Sequence, residues 1–427
     1  MKKGILVILL VVLVVSAFAK AVTLNYWIWD PELRDKTQNL ISRFEASHPN
    51  IKVELTVLEP KNYWTKLRIA ASSKRLPDVF NMSSGYIEEW AKSGFLMNIT
   101  DYVNKDIDQE KFFKNLFDTG KNLVGDDNYY AIPFALVTTV LYFNKDMFDE
   151  AGLSYPNSNW TWFEFLRTAK RLTKDKDGDG EIDQWGYWFY GRYAHIESWI
   201  YRNGGSLLDR SKMRFAPDKN AVETLEFLES LVKDFNVAPQ PKLMSGIRQQ
   251  DVFPRGLAAM WIDGSWNIEN NRTIIKDKFR WGIAEVPLGP HGDPNVAYGW
   301  PDFVAISAFT KNKEAAWEFA KFAAGEGLDL SMYMAGKIPS YKPLGLSKEF
   351  YEEDKQPAEK KLLLDIAAKT MKNSFTQGWG EWRGYGSSES LGLNGAIDGM
   401  LNGDYTLDEA LKISEKTANK VLKRYYK

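Results

Sequence analysis

Aromatic and acidic side chains recur at the ends of apolar segments beyond residue 250. Asp263 and Trp266 follow the apolar run 257–262, and Trp300 and Asp302 precede a later apolar segment. An indole ring covers the apolar C–H face of a pyranose, while fixed carboxylates and hydroxyls pair with its hydroxyl groups. These residue types at strand ends therefore predict a carbohydrate-binding site.

A second group of candidate side chains lies near the N-terminus. Residues 21–80 follow a β-α-β-α-β order, which predicts a mainly parallel sheet. Because ligands bind beyond the carboxyl ends of such strands, we expect aromatic platforms and hydroxyl donors to meet there. The candidates from this region are Trp27, Trp29, Tyr63, Trp64, Ser83 and Ser84, and Trp188 in a later aromatic strand is a further one.

An acidic loop at 174–183 resembles a calcium-binding loop. Asp175, Asp177 and Asp179 have the alternating spacing of calcium ligands, and the Glu181 carbonyl takes the seventh position. The twelfth position is Gly186 rather than glutamate, so the pattern is incomplete, with Asp183 as the substitute ligand. The sequence leaves two interpretations open: a structural calcium site, or a solvated acidic turn.

The composition limits the possible function classes. A chain of 427 residues with 44% hydrophobic residues suggests about two domains. The absence of cysteine excludes disulfides, thiolate catalysis and cysteine-ligated zinc, and three histidines argue against histidine-based catalysis or metal clusters. A net charge of −1 gives no overall attraction to nucleic acid. The 16 tryptophans favour an aromatic-lined cleft.

The first 19 residues have the pattern of a signal peptide. Lys2 and Lys3 precede an apolar run, 5–15, that is too short to span a bilayer. Ala17-Phe18-Ala19 then has the form of a cleavage site. We therefore expect a periplasmic or extracellular protein, whose net charge shifts from −1 to −3 when both lysines are removed. The alternative is a retained signal anchor.

The order of these segments resembles a known family. The Asp263–Trp266 motif with its flanking strands, the Pro133-containing strand followed by Asn144-Lys-Asp, and the segment 334–340 are similar to extracellular solute-binding proteins of ABC sugar importers, which include maltose-binding protein. The resemblance implies an α/β, two-lobed periplasmic-binding-protein fold of class II type, with mainly parallel sheets flanked by helices. The first lobe would comprise 20–134 and 303–337, and the second lobe 135–302 and 338–427. Three hinge crossings would lie near 133–136, 301–304 and 335–340.

The same resemblance implies a function. The protein would capture an oligosaccharide between its lobes and deliver it to membrane permease subunits, as a monomer with no required cofactor. An aromatic loop that often faces the sugar in this family corresponds to 375–385 here. It adds Trp379, Glu381, Trp382 and Arg383 to the predicted ligand-binding residues.

Two other functions remain open at the level of sequence. A secreted glycoside hydrolase would need two suitably spaced carboxylates, which Asp263, Asp302 and Glu381 could supply. A binder of a non-sugar solute is the other alternative. An acidic sugar also stays open, because Arg192 and Arg383 could pair with a uronate carboxylate.

Overall fold

The computed structural model of the chain describes residues 21–333, 336–384 and 392–426. The predicted signal peptide, 1–19, lies outside the described residues, and so do Met334 and Ala335 at the start of the segment 334–340, which contains the predicted third crossing. The strands are β1 (Val22–Ile28), β2 (Ile51–Val57), β3 (Val79–Ser83), β4 (Ala131–Asn144), β5 (Trp185–Trp188), β6 (Leu208–Asp209), β7 (Arg214–Phe215), β8 (Ala258–Gly264), β9 (Trp281–Ala284), β10 (Val296–Ile306), β11 (Ile338–Pro339) and β12 (Thr370–Lys372).

Helices connect and flank the strands in both predicted lobes. The α-helices are α1 (Arg34–Ser47), α2 (Pro60–Ser72), α3 (Ser84–Lys92), α4 (Thr100–Asp106), α5 (Lys114–Val124), α6 (Lys145–Glu150), α7 (Trp162–Leu172), α8 (Tyr193–Arg202), α9 (Lys219–Lys233), α10 (Ile268–Ile275), α11 (Lys313–Ala324), α12 (Lys342–Gly345), α13 (Lys348–Tyr351), α14 (Leu362–Ala367), α15 (Trp379–Arg383), α16 (Leu393–Asn402) and α17 (Leu407–Tyr425). Short 3-10 helices span Pro31–Leu33, Gln109–Lys111, Pro241–Met244, Gln249–Asp251, Ser265–Asn267 and Leu330–Met332. Within the described ranges, no helix combines the length and apolarity needed to cross a bilayer.

The predicted parallel arrangement near the N-terminus is confirmed. Strand β1 pairs in parallel with β2 over its whole length, from Val22 opposite Ile51 to Ile28 opposite Val57, and with β3 on its other side. Helices α1 and α2 connect these strands, because a parallel pair needs a crossover of this length. The carboxyl ends of the three strands therefore point to one edge, as the strand order predicts.

Two long strands run through the centre of the molecule. All 14 residues of β4 are buried. Its first part pairs antiparallel with β10, and its second part pairs with β8 and β9. The β4–β10 register shifts between Asp302 and Phe303, so that Phe134 is passed over in the pairing. Strand β11 adds a third segment by pairing Pro339 with Ala135.

The three predicted hinge crossings thus lie side by side at one level of the sheet. Asp302 of β10 and Pro339 of β11 both pair with Ala135 of β4. The fold class is confirmed as α/β with helices flanking a large sheet, although the central strands are antiparallel. The exact division of the chain into two lobes at these residues stays a prediction.

Candidate functional site

A cleft of about 490 Å³ opens where the three crossings meet the ends of β1 and β3. This volume lies within the range of roughly 300–1,000 Å³ that is typical of small-molecule sites. Its lining combines aromatic rings with charged and amide side chains from both predicted lobes. The aromatic members are Trp29, Trp64, Tyr86, Tyr193, Trp266, Trp300, Phe375 and Trp379, and the polar ones include Asp30, Glu59, Ser83, Arg192, Arg248, Asn267, Glu269, Asn270, Asp302 and Lys337.

The first-lobe wall of the cleft is built from three rings. Trp29 follows β1 directly, Trp64 lies on α2, and Tyr86 lies on α3. Ring centroids are 5.3 Å apart for Trp29 and Trp64 and 4.1 Å apart for Trp64 and Tyr86. Because both tryptophans are only half-buried, part of each indole surface faces the cleft.

The second-lobe wall continues this series of rings. Tyr86 contacts Trp379 edge-on at 6.3 Å, and Trp379 meets Phe375 at 4.9 Å. Phe375 lies 5.3 Å from Trp300, which in turn lies 5.6 Å from Trp266. We call the series the aromatic band, comprising Trp29, Trp64, Tyr86, Trp379, Phe375, Trp300 and Trp266. Trp266 is its half-buried member on this side, whereas Trp300 is only 5% exposed.

A buried ion cluster forms the polar part of the cleft between these walls. Lys337 Nζ lies 2.8 Å from Asp30 Oδ2 and 3.5 Å from Asp302 Oδ2. Burial raises the pKa of Asp302 to about 6, with Lys337 opposing and Asp30 reinforcing this shift. The pKa of Lys337 is raised although burial opposes the shift, because Asp30 and Asp302 both favour the ammonium form. The Lys337 ammonium thus forms ion pairs with two carboxylates, and the pair with Asp30 is the shorter one.

Asp263 does not line the cleft, but it forms an ion pair with Arg192, which does. It is fully buried, with Oδ2 lying 3.1 Å from Arg192 Nη1 and 3.2 Å from His195 Nε2. Despite burial, Arg192 and His195 lower the pKa of Asp263. Because Tyr190 N–H donates to His195 Nδ1, the His195 proton lies on Nε2 and faces Asp263. His195 is thus a fully buried residue that helps to hold Asp263 in place.

Arg383 is also a buried structural residue rather than a cleft residue. Its guanidinium pairs with Glu197, and both side chains have no exposed surface. Ser374 Oγ donates to Glu197 Oε1 at 2.8 Å. The guanidinium carbon of Arg383 also lies 5.8 Å from the Tyr193 ring and 5.7 Å from the Trp379 ring, so that it supports two rings of the cleft wall from behind.

About half of the predicted ligand-binding residues meet in the cleft. Those that line it are Trp29, Trp64, Ser83, Trp266, Trp300, Asp302 and Trp379. The structure does not bring the others there, namely Trp27, Tyr63, Ser84, Trp188, Asp263, Glu381, Trp382 and Arg383.

Most of the residues outside the cleft are engaged in the protein interior. Their donors are bonded internally: Tyr63 to Asn81 O (2.6 Å), Ser84 to Pro301 O (2.5 Å), Trp188 to Gln249 O (3.0 Å) and Trp382 to Thr376 Oγ1 (2.9 Å). Trp27 packs against the first-lobe core beside the cleft, and Glu381 pairs with Arg424 near the surface. Sequence position alone cannot separate these residues from the cleft residues, because a tryptophan next to a strand end fits either environment.

Several lining residues were not predicted from the sequence. Asn270 and Thr273 lie four and seven residues after Trp266, so that helical periodicity places all three on one face of α10 and its preceding turn. That spacing is a signal that could have identified them. Lys337 gives no such signal, because a lysine beside a turn is ordinarily a solvated side chain.

The acidic loop brings three carboxylates close together away from the cleft. Oxygens of Asp175, Asp177 and Asp183 lie within 4.8 Å of one another, and all three residues are exposed. Asp179 and Glu181 are not part of this group. Backbone N–H donation from Gly180 and Gly178 lowers the pKa of Asp175. Three clustered carboxylate oxygens fit a hard cation such as calcium, and calcium binding here stays a prediction.

The fold and the sequence both have known counterparts. An ABC substrate-binding protein from Listeria monocytogenes, solved with cycloalternan, matches with a TM-score of 0.80 and 24% identity, over 95% of this chain and 100% of that one. A multiple sugar-binding protein of Streptococcus mutans is 26% identical over 319 residues, 70% of each chain. A binding protein of Brucella abortus is 25% identical over 286 residues, which cover 65% of this chain and 66% of the relative, just under two thirds.

The family match covers most of the chain. The profile of the bacterial extracellular solute-binding proteins matches residues 30–328, a region that contains strands β2 and β3, both long central strands and most of the cleft. The resemblance based on the sequence motifs is thereby confirmed. The chain belongs to the bacterial extracellular solute-binding protein family.

Proposed function

We propose that the protein captures a neutral oligosaccharide in the cleft and delivers it to the membrane permease of an ABC importer. The observation that carries the proposal is the aromatic band, which lines both walls of one cleft and has carboxylates, amides and a lysine between them. Half-buried indoles such as Trp29, Trp64 and Trp266 offer surface for stacking on sugar rings. The sugar-binding names of the Streptococcus relative and the Listeria structure support this ligand class.

The charge of the cleft favours a neutral sugar over an acidic one. Each cation that lines the cleft in the described structure has a carboxylate partner: Arg192 with Asp263 (3.1 Å), Arg248 with Asp251 (2.8 Å) and Lys337 with Asp30 (2.8 Å). Glu32 and Glu59 add negative charge to the lining. A uronate carboxylate would therefore lose hydration and meet an acidic surface, which is unfavourable.

Binding without bond cleavage is part of the proposal. Of the three carboxylates considered for hydrolysis, Asp302 lines the cleft, whereas Asp263 is buried and Glu381 pairs with Arg424 outside it. A glycosidase needs one acid with a raised pKa and a second carboxylate across the scissile bond. Asp302 has the raised pKa that the acid needs. Its neighbour Asp30 is paired with the same Lys337, so that it does not stand opposite Asp302 as a separate second carboxylate.

The proposed transport cycle rests on the three crossings between the two predicted lobes. We propose that the lobes, 20–134 with 303–337 and 135–302 with 338–427, close on the sugar by bending at the three crossings. A ligand that contacts both walls favours the closed arrangement through its additional contacts there. We further propose that the mature protein acts as a periplasmic or extracellular monomer, without nucleic acid or a required cofactor.

A ligand panel tests this function. Maltotriose, diacetylchitobiose and mannobiose serve as neutral probes, and oligogalacturonate serves as the acidic probe. We expect a neutral probe to raise the melting temperature and to give a one-to-one calorimetric isotherm, while oligogalacturonate does neither. Chromatography of the bound sugar after prolonged incubation should recover it intact. Binding of the acidic probe alone, or release of shorter sugars, would contradict the proposal.

A further inference from the structure

Lys337 lies at the point where all three crossings and the first lobe meet. It lies in the third crossing, directly before β11, and its ammonium is 3.5 Å from Asp302 of the second crossing. The ring of Phe134, in the first crossing, lies 5.7 Å from the same nitrogen. Asp30, beyond the end of β1, holds it at 2.8 Å. A single side chain thereby connects four separate segments of the chain.

Packing alone does not explain a lysine at this position. Lys337 is 5% exposed, and an isolated ammonium at such a site is costly to bury, whereas an apolar side chain of similar length would not be. One of its three N–H donors bonds to Asp30, and Asp302 forms an ion pair with the same ammonium at 3.5 Å. The ammonium also lines the cleft, 5.4 Å from the ring of Trp29. Asp30, Asp302 and Trp29 line the same part of the cleft.

We propose that Lys337 is a ligand-binding residue that also couples ligand binding to lobe closure. On the proposed function, its remaining N–H donates to a sugar hydroxyl in the cleft. Its two ion pairs hold the third crossing against the first lobe and the second crossing. Bending of the crossings changes the position of Lys337 relative to Asp302, which the predicted division places in the second lobe, so that a ligand bound to this ammonium favours one lobe angle over others.

A matched pair of lysine variants tests the role of this side chain. Lys337→Met removes the ammonium while keeping the length of the side chain. Lys360→Met is the control, because Lys360 is equally buried and ion-paired, with Glu352, but does not line the cleft. Both variants should lose stability, since each removes a buried ammonium from its carboxylate. The loss should be smaller for K360M, because Glu352 keeps Arg272 and Lys355 as partners.

The affinity for a sugar should distinguish K337M from K360M. Calorimetry uses whichever of maltotriose, diacetylchitobiose or mannobiose binds the unmodified protein. We expect K337M to weaken binding by about tenfold or more, as for the loss of a hydrogen bond to a charged group, and K360M to bind as the unmodified protein does. Equal affinities of K337M and the unmodified protein would overturn the proposal. If K337M does not fold, K337Q replaces it, with a smaller expected loss because its amide retains a donor.

Small-angle scattering tests the coupling independently of the sugar. We expect the radius of gyration of ligand-free K337M to differ from that of the unmodified protein, and K360M to leave it unchanged. If none of the sugars binds the unmodified protein, the proposed function fails, and scattering alone decides on Lys337. An unchanged radius of gyration in K337M would then overturn its coupling role.

Discussion

Replacing Asp302 by asparagine should make the protein more stable at neutral pH. Burial raises the pKa of Asp302 from 3.8 to about 6, with Lys337 opposing the shift and Asp30 reinforcing it. A difference of this size corresponds to about 3 kcal/mol, at about 1.4 kcal/mol per pKa unit. Asparagine has the same shape and carries no charge, so that D302N avoids this cost while Asp30 still pairs with Lys337.

The pH dependence of the effect follows from the direction of the shift. Because the pKa of Asp302 is higher in the folded protein, its stabilising contribution is complete below about pH 4 and is lost as the pH rises through about 6. Between about pH 4.5 and about pH 7.5, the free energy of unfolding of the unmodified protein should therefore fall by about 2 kcal/mol relative to that of D302N.

Urea unfolding of the ligand-free protein at the two pH values measures this difference. The exposed carboxylate of Asp277 provides the control, since D277N should follow the unmodified protein at both pH values. The reasoning is refuted if D302N and the unmodified protein keep a constant difference across this range. It is also refuted if D302N is the less stable of the two at about pH 7.5, because Asp302 would then be stabilised as a carboxylate.

Four further substitutions distinguish residues that contact the ligand from residues with other roles. Trp266→Ala should weaken binding of a neutral oligosaccharide by roughly 1–3 kcal/mol in calorimetry, because a half-buried stacking surface is lost, and unchanged affinity would remove Trp266 from the site. Trp300→Ala should instead lower the free energy of unfolding by roughly 3–5 kcal/mol in urea, since Trp300 is almost fully buried, and an unchanged midpoint would contradict this. Glu381→Gln should leave sugar affinity unchanged, because its partner is Arg424 outside the cleft, and a tenfold loss would refute that placement. Calcium should raise the melting temperature of the unmodified protein but not of D175N, and equal shifts would exclude the acidic loop as the site.

Local signals in the sequence predicted the elements well. Apolar and polar residues alternate over 51–57, a pattern typical of a half-buried strand, and this segment is strand β2. Thr161 has the side chain of a helix cap and caps α7 in a reciprocal pair with Glu164. Asn144 likewise caps α6 by accepting from the N–H of Met147. These features depend on residues that are close in the chain, where spacing and side-chain type determine the conformation.

Contacts between residues that are far apart in the sequence could not be predicted from local signals. Glu197 and Arg383 are far apart in the sequence, and nothing near either residue indicates that they neutralise each other in the interior. The resemblance of the loop 375–385 to a sugar-facing loop therefore placed Arg383 among the predicted ligand-binding residues. Trp300 was predicted as an indole that stacks on sugar, but the rings of Tyr193, Tyr298 and Phe375 surround it.

The continuous strand β4 has a consequence for how the molecule unfolds and moves. Its fourteen buried residues contribute to the hydrogen-bonded ladders on both sides of the cleft. If either predicted lobe were removed, part of β4 would lose its pairing strands and expose unpaired backbone N–H and C=O groups. We therefore expect that neither lobe folds on its own. Calorimetry should accordingly record one cooperative transition for the whole molecule. The proposed lobe closure would then require bending within continuous, hydrogen-bonded strands, rather than movement of two domains joined by a flexible linker.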